Sequence, residues 1–397
     1  MRRSGSKGEP GGVAYAARLL LPLCGLLIGF TPALGWQPPA SDTACTPSAA
    51  LRFICGADRP EDLAQIPDSP WLIASGFSPG AGLKLVDIRS RSLRRWYSRS
   101  PDQIAYDASA YPSCPGPPDP ALLTTRGLSL RRLRDGRFRL HAVNHGGRES
   151  IEIFDVTLAR AGEPRLQWIG CLPMPGGLVA NAVATWSDGT VLVTVLTRPG
   201  TGIADFVRGF PTGGVYQWRP GEAGFRLLRG TELPGNNGLE TSRDDRFFYV
   251  VAFGWHSIFI YARSDTSHPV RRILAPDFMP DNIHWSGRRL LTAGMRYREP
   301  ACGGLRWIVD NVADPMLCHR GYVVAELNPA TGMLSTIADA GPDPAFNGVS
   351  AASIIGDVLW LGSYQADRLA YRRLRPTHRD RASGSIARMD PARNDRL

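Results

Sequence analysis

The chain of 397 residues is 43% hydrophobic and 21% charged, a balance typical of folded globular proteins that excludes intrinsic disorder. Its formal net charge is +10, carried almost entirely by arginine, since lysine occurs only at Lys7 and Lys84. No basic amphipathic helix and no interleaving of basic and aromatic residues accompanies this charge, so we predict no nucleic-acid partner.

The first 35 residues have the features of an export signal. Basic residues precede the apolar stretch LLLPLCGLLIGFTPALG, which ends in the small-residue pattern Ala33-Leu34-Gly35. We predict that this leader is cleaved and that the protein is exported, to a periplasm or to the medium. An uncleaved signal anchor is the alternative, and only in that case would the protein be attached to a membrane. We interpret residues 36–59 as a lead-in to the folded domain.

Six cysteines remain after the leader, which is typical of disulfide-bonded proteins in an oxidising compartment. Cys302 and Cys318 enclose one insertion-like segment and are the first pair that we predict. Cys45–Cys55 and Cys114–Cys171 follow by elimination. None of the six has a spacing typical of zinc ligands.

One pattern recurs six times along residues 60–376: a small or polar residue, an alternating apolar run, a turn and a second apolar run. The six copies begin at Pro60, Arg126, Asn181, Asn236, Pro280 and Asn347. Five of them contain a dipeptide suited to a tight hairpin, at Asp135-Gly136, Asp188-Gly189, Asp244-Asp245, Ser286-Gly287 and Gly356-Asp357. Further short apolar runs, such as SIEIFDV and SIFIYAR, lie between the copies.

The copies start about 45–65 residues apart, which fits a four-stranded sheet with loop insertions in each repeat. No long amphipathic helix is apparent, so a parallel α/β fold is excluded. We therefore predict an all-β fold, a six-bladed β-propeller over residues 60–376. Residues 377–397 are polar and aperiodic, and we predict a loose tail.

Polar residues begin the first strand of each predicted blade. These strands line the central channel of a propeller, so their first residues converge on one mouth of the channel. The converging positions are Glu61-Asp62, Arg126, Asn181, Asn237, Asp281-Asn282 and Asn347. Any one of these dipeptides alone is an ordinary turn former, but their recurrence in one register favours a shared site.

This set of side chains predicts a calcium ion in the central channel. Carboxylate and amide oxygens without a majority of thiols or imidazoles are ligands for a hard cation. Calcium suits the set better than magnesium, because it accepts many protein oxygens. Glu61 and Asp281 would neutralise the ion, and Asn181, Asn237 and Asn282 would add neutral oxygens.

The repeats resemble the paraoxonase and gluconolactonase superfamily, which includes regucalcin-like lactonases, and are most similar to its paraoxonase branch. The resemblance extends over residues 60–374 and rests on PEDL, VNHGGRESIEIFDV, GNNGLETSRDDRFFYVVAF, PDNIHW and NGVSAASIIGDVLWLGSY, in that order. It implies that a catalytic calcium is held by Glu61, Asn181, Asn237, Asp281 and Asn282. It also implies that this calcium polarises the carbonyl of a lactone or ester and stabilises the developing oxyanion.

The chain departs from the paraoxonase pattern at two positions. An aspartate that binds a second, structural calcium is replaced by Ala182, although Asp62 is retained. One partner of the family's proposed histidine pair matches His145, but the other falls on Arg126. An arginine stays protonated at neutral pH, so it would hold a substrate oxygen or balance the nearby carboxylates rather than act as a base.

We therefore predict a calcium-dependent hydrolase of small-molecule lactones or aryl esters, with Arg126 and His145 as candidate catalytic residues. The alternative is a non-catalytic binding propeller whose blades are joined by calcium. A condensing role like that of strictosidine synthase is a remote third hypothesis, because no late blade offers a clear catalytic acid.

Overall fold

The computed structural model describes residues 45–159 and 162–374. The expected leader and tail lie outside these residues, as does the first part of the expected lead-in, up to Ala44.

Short antiparallel strands make up the described chain, and all but two of them form six four-stranded sheets. The chain begins with β1 (Arg52–Cys55). Blade 1 follows with β2 (Leu63–Gln65), β3 (Trp71–Ala74), β4 (Lys84–Asp87) and β5 (Ser92–Arg95). Blade 2 contains β6 (Thr125–Arg132), β7 (Phe138–Asn144), β8 (Ser150–Thr157) and β9 (Arg165–Pro173). Blade 3 contains β10 (Ala180–Thr185), β11 (Val191–Val195), β12 (Gly214–Trp218) and β13 (Arg226–Leu227).

The second half of the described chain repeats this arrangement. Blade 4 contains β14 (Asn236–Thr241), β15 (Phe247–Ala252), β16 (Ser257–Ala262) and β17 (Arg271–Leu274). Blade 5 contains β18 (Phe278–Ser286), β19 (Arg289–Arg296), β22 (Tyr322–Leu327) and β23 (Leu334–Ala340), with the hairpin β20 (Ile308–Val309) and β21 (Val312–Ala313) inserted. Blade 6 contains β24 (Val349–Ile355), β25 (Val358–Ser363) and β26 (Arg368–Arg373). One short helix, α1 (Ile203–Val207), and 3₁₀ turns at Pro101–Gln103, Phe253–Trp255 and Pro300–Cys302 lie in the connections.

The first strand of every blade faces the first strands of its two neighbours, and these contacts close a ring from blade 1 to blade 6. The prediction of an all-β, six-bladed propeller is therefore confirmed. The five predicted turns are also confirmed, since each joins the first and second strands of a blade. Hairpins in this position fit because their backbone twist matches that of the strands they connect.

The last blade is completed by the first strand of the chain. β1 pairs antiparallel with β26, from Arg52 opposite Tyr371 to Cys55 opposite Arg368. β1 lies within the segment that we expected to be only a lead-in. Its pairing covers the outer edge of β26, which would otherwise offer unpaired backbone groups to another chain.

The core lies between neighbouring blades rather than at the centre of the molecule. Trp186 of the β10–β11 turn packs edge-on against Phe248 of β15, so blades 3 and 4 share one apolar cluster. Trp168, Trp186 and Trp360 are the largest fully buried side chains. Where a middle strand is covered on both faces it can be a continuous apolar run, as in β15.

All three predicted disulfides are confirmed: Cys45–Cys55, Cys114–Cys171 and Cys302–Cys318, with Cα atoms 5.9, 5.2 and 5.7 Å apart. They indicate an oxidising, exported environment. The third closes the insertion of blade 5, whose hairpin packs against α1. Of the helices in the described chain, none has the length and apolar character needed to cross a membrane.

Candidate metal centre

A β-bulge positions the candidate ligands on the first strands of the blades. In blade 4, Asn236 pairs with Ala252 and Leu239 with Val250, so β14 has one residue more than β15 over this interval. Shifts of the same kind occur on β6, β10, β18 and β24. Asn181, Asn237, Asp281 and Asn282 all lie within such bulges. Because a bulge turns a side chain away from the regular alternation of a strand, it directs these residues toward the channel.

Glycines in two of the bulges bring neighbouring blades into close contact. A Cβ atom on Gly238 would lie 2.3 Å from the carbonyl oxygen of Asp281 and 2.8 Å from Cα of Asn282. Gly127 has the same relation to blade 3, where a Cβ atom would lie 2.6 Å from Cα of Ala182. The absence of a side chain at Gly238 therefore sets the distance between β14 and the strand that contains two candidate ligands.

We expect Gly238→Ala to displace β18 and to disturb the site from a distance. Overpacking of this kind destabilises a protein by about 1–3 kcal/mol. If the cluster holds calcium, its affinity for the ion should fall by about tenfold or more, because the ligands are displaced. Urea denaturation and calcium titration measure the two effects. Gly224→Ala is the matched control, because a Cβ atom at that position would have no neighbour within 4 Å. An unchanged calcium affinity in Gly238→Ala would show that this contact does not position the ligands.

The five candidate ligands meet at one mouth of the channel, and all of them are buried, with at most 5% of each residue exposed. The amide of Asn181 donates to Oδ1 of Asn237. The amide of Asn282 donates to the main-chain carbonyl of Glu61, at 3.2 Å. These bonds join residues from blades 1, 3, 4 and 5, which the sequence separates widely.

Four buried oxygens of this cluster have no hydrogen-bond partner within the described chain: Oε2 of Glu61, Oδ1 of Asn181, Oδ1 of Asp281 and Oδ1 of Asn282. Buried polar atoms are nearly always paired, and leaving one unpaired costs about 1–3 kcal/mol. The four atoms belong to four of the five residues that the sequence predicts as calcium ligands. Carboxylate and amide oxygens fit a calcium ion, so the residues present are suited to hold one.

The electrostatics of the cluster also favour a cation. Burial raises the pKa of Glu61 to about 7, with Arg126 opposing this shift and Asp62 adding to it. Burial and the charge of Glu61 raise the pKa of Asp281 well above its ordinary value. Two buried carboxylates that repel each other favour the binding of a divalent cation, because the cation removes the repulsion between their charges.

Arg126 lies at the edge of the cluster and is its most accessible member, with 18% of its side chain exposed. Its Nε lies 3.5 Å from Oε1 of Glu61, and its guanidinium stacks over the ring of Phe77 at 4.7 Å. Arg126 is therefore placed both to balance a ligand carboxylate and to contact a molecule that enters the mouth.

His145 also contacts Phe77. The two rings meet edge to face at 6.0 Å, and Nδ1 of His145 is 2.9 Å from Oε2 of Glu149. Nε2 of His145 is buried and has no partner among the described residues. The structure thus brings His145 and Arg126 into contact with the same aromatic ring.

A second buried ion pair lies deeper in the channel. Both oxygens of Asp62 accept hydrogen bonds, from the main-chain amides of Leu63 and Leu128 at 2.8 and 2.7 Å, and Nε2 of His284 lies 3.0 Å away. Nδ1 of His284 is 3.3 Å from Oε2 of Glu240. Burial alone lowers the pKa of His284, but Asp62 and Glu240 outweigh burial and raise the pKa to about 10. His284 is therefore an imidazolium at neutral pH.

Sequence reasoning did not assign this role to His284, although PDNIHW was noted as a motif. Ala182 lies at the second position of the β10 bulge, and its amide donates to Oγ1 of Thr194 at 3.0 Å. Its side chain joins the apolar cluster between blades 3 and 4. Asp62 is thus paired with His284. In the paraoxonase pattern, the positions of Asp62 and Ala182 belong to the structural calcium site.

Tyr364 is a further residue that sequence reasoning missed. Burial and the charge of Asp281 raise the pKa of Tyr364, and the Tyr364 hydroxyl contacts Sδ of Met295 at 4.0 Å.

Asn347 was expected at the mouth of the channel, but its amide donates to Gln365 and to the carbonyl of Met316. Asn347 therefore fixes the blade 5 insertion and has its amide engaged away from the cluster. The residue of blade 6 that contacts the cluster is Ser350, whose hydroxyl donates to the main-chain carbonyl of Glu61 at 2.7 Å.

Across residues 45–159 and 162–374, no group of three or more His, Cys, Asp or Glu side chains is arranged to hold a metal ion. The proposed site contains only two carboxylates among its five residues, and the rest of its donors are amides. It is therefore suited to calcium rather than to a transition metal, which prefers imidazole or thiolate ligands.

The fold and the site together define the class: a six-bladed β-propeller with a cluster of oxygen donors at one channel mouth. No family model matches the sequence, and no curated protein matches it significantly. Solved structures with a similar fold include a luciferin-regenerating enzyme, at 12% identity and a TM-score of 0.45, covering 80% of this chain and 92% of that one.

Two other propellers are similar to the same degree. A candidate gluconolactonase has 14% identity and a TM-score of 0.45, with 83% of this chain and 94% of that chain covered. The PQQ-bound aldose sugar dehydrogenase of Streptomyces coelicolor has 14% identity and a TM-score of 0.45, with 82% and 99% covered. Similarity at this level bears on the fold alone.

Proposed function

We propose that the protein is a calcium-dependent hydrolase of lactones or aryl esters. The observation that supports this most is the set of four unpartnered, buried oxygens on Glu61, Asn181, Asp281 and Asn282. A cluster built only to join blades would satisfy its own polar atoms, because unpaired buried groups reduce stability. Donors left open at a channel mouth are better explained by a ligand ion.

Each residue of the cluster has a distinct part in this proposal. Glu61 and Asp281 supply the negative charge, and Asn181, Asn237 and Asn282 supply neutral oxygens. A bound calcium ion would polarise the carbonyl of the substrate and stabilise the developing oxyanion. Arg126 orients the substrate through its guanidinium, which faces the mouth and is held by Phe77 and Glu61.

His145 is the candidate proton acceptor. A carboxylate that holds Nδ1 leaves Nε2 free to accept a proton, and Glu149 holds Nδ1 in this way. Nε2 of His145 is buried, so a proton would reach it only if water or substrate enters beside Phe77. Loss of turnover in His145→Gln, with unchanged calcium affinity, would support this role; full turnover would make His145 a structural residue.

A non-catalytic, calcium-stabilised binding propeller is the second candidate function. One observation favours it: Arg126, at the position where the resemblance implies a histidine, is bonded to Glu61. An arginine in this place closes the charge balance of the site without supplying a base. In this case calcium would join the blades and Arg126 would hold a ligand.

Hydrolysis of γ- and δ-lactones and of phenyl acetate by the purified protein separates the two candidates. We expect turnover that is lost with chelator and restored by calcium, because the open oxygens would hold the ion that polarises the carbonyl. Melting temperature alone does not discriminate, since an ion bound only to the folded state stabilises it in both cases. Folded, calcium-loaded protein without turnover on the panel would contradict the hydrolase.

A further inference from the structure

The opposite end of the central channel opens into a cavity of about 630 Å³. It is formed where the first strands of the blades end, so it lies across the channel from the candidate calcium site. Every blade contributes a hydroxyl or amide side chain to its wall, namely Gln65, Ser129, Thr185, Thr241, Ser286 and Ser353. The Asp62–His284 pair separates the two ends, since His284 lines the cavity and Asp62 lies next to Glu61.

Four arginines line the cavity, and two of them are matched by carboxylates. Arg131 lies 3.1 Å from Asp245, and Arg132 lies 3.4 Å from Asp68. Arg243 and Arg288 form no ion pair with any carboxylate of the described chain. At its inner end, the ring nitrogens of His284 lie 3.0 Å from Asp62 and 3.3 Å from Glu240, so this end of the cavity offers no unpaired cation. The arginines without a carboxylate partner are thus Arg243 and Arg288. They lie on the turns that join the first and second strands of blades 4 and 5.

The guanidinium of Arg243 is partly fixed and lies beside the main chain that precedes Arg288. Arg243 stacks over the ring of Trp285 at 4.7 Å, and its Nη2 donates to the main-chain carbonyl of Gly287, directly before Arg288. A guanidinium held by stacking loses less conformational entropy when it binds an anion. The guanidinium groups of Arg243 and Arg288 are suited to a carboxylate, which accepts paired hydrogen bonds from such groups.

Deeper in the cavity, one hydroxyl is buried without a partner. Thr185 is 4% exposed, and its Oγ1 makes no hydrogen bond within the described residues. The carbonyl of the same residue is already engaged by Arg131 and by Thr241, at 2.8 and 2.9 Å. Buried hydroxyls are normally paired, so Thr185 is a residue of the cavity wall whose hydroxyl the fold leaves unsatisfied.

We propose that this second mouth binds an acidic carbohydrate, of the size of a uronic-acid disaccharide. Its carboxylates would contact Arg243 and Arg288, and its hydroxyls would bond to polar side chains of the wall such as Gln65 and Ser129. The volume lies within the range of small-molecule sites. A ring of hydroxyl and amide groups matches a polyhydroxylated ligand better than an apolar one, because each group can exchange a hydrogen bond with it.

Titration calorimetry at low salt, with EDTA present, tests the proposal without involving the calcium site. Digalacturonate is the probe. Maltose is the uncharged control of similar size, and glutarate is a dicarboxylate without hydroxyls. We expect digalacturonate to bind at least tenfold more tightly than either control, since only it offers both the charges and the hydroxyls.

Variants locate the binding. We expect Arg243→Gln/Arg288→Gln to weaken digalacturonate binding by about tenfold or more, since the two substitutions remove the charged hydrogen-bond donors. Arg229→Gln, which removes an exposed arginine elsewhere, should change nothing. No binding by folded wild-type protein at millimolar concentrations would overturn the proposal. Equal binding of a control compound, or unchanged affinity in the double arginine variant with its melting temperature preserved, would also overturn it.

Discussion

Asp281→Asn should greatly weaken the proposed calcium binding while leaving the calcium-free protein at least as stable as the wild type. The substitution keeps the shape of the side chain but removes one of two ligand charges, so we expect calcium affinity to fall by about a hundredfold or more. Burial and Glu61 raise the pKa of Asp281, which means that its charged form is unfavourable without a cation. Removing that charge relieves the repulsion.

The diagnostic result is a difference between two melting temperatures. Calcium should raise the melting temperature of the wild-type protein and not that of Asp281→Asn, because only binding to the folded state stabilises it. Chelator-sensitive turnover should disappear with the affinity. Asp277→Asn, an exposed position just before β18, is the matched control and should retain both. A full calcium-dependent shift in Asp281→Asn would place the ion elsewhere.

His284→Gln should be the most destabilising single substitution at the channel. It leaves the buried carboxylate of Asp62 without its charged partner, and such losses cost about 3–5 kcal/mol. Urea denaturation measures this directly. Asp62→Asn/His284→Gln should recover part of the stability, because it removes both charges together. His268→Gln, at an exposed turn, is the control, and we expect no change there.

The pH dependence gives an independent check on the same pair. The folded state raises the pKa of His284 from 6.5 to about 10, so it binds the proton more strongly than the unfolded chain does. The stability that this provides is complete below pH 6.5 and is lost as the pH rises toward 10. Wild-type protein should therefore lose stability over this interval, and His284→Gln should lose less. Equal slopes would contradict an imidazolium paired with Asp62.

The sequence predicted the six blades because their first two strands have alternating or continuous apolar runs joined by recognisable turns. The outermost strands were not predicted, and β5 shows why: its sequence, Ser92 to Arg95, is polar and mostly exposed, so no periodicity distinguishes it from a loop. β1 was missed for a different reason. Its partner β26 lies at the far end of the described chain. Pairing between strands so distant in sequence produces no pattern in the residues around β1.

The candidate calcium ligands were predicted from their common register, and the structure places Glu61, Asn181, Asn237, Asp281 and Asn282 together. That they hold calcium remains a proposal. The bulges that direct them were not predicted, because a bulge is defined by the partner strand as much as by its own residues. The pairing of Asp62 with His284 was also beyond sequence reasoning, since it joins blades 1 and 5 and the motif PDNIHW does not indicate the partner of its histidine.

The pairing of β1 with β26 also determines the order in which the protein can fold. β1 is among the first parts of the described chain to be synthesised, yet its partner is among the last. Contacts of such long sequence separation slow folding, and an unpaired strand in the meantime is open to aggregation. Blades 1 to 5 contain all their own strands and can assemble as the chain emerges, whereas closure of the ring must wait for its end. The ring can therefore close only after β26 has been synthesised, near the end of the described chain.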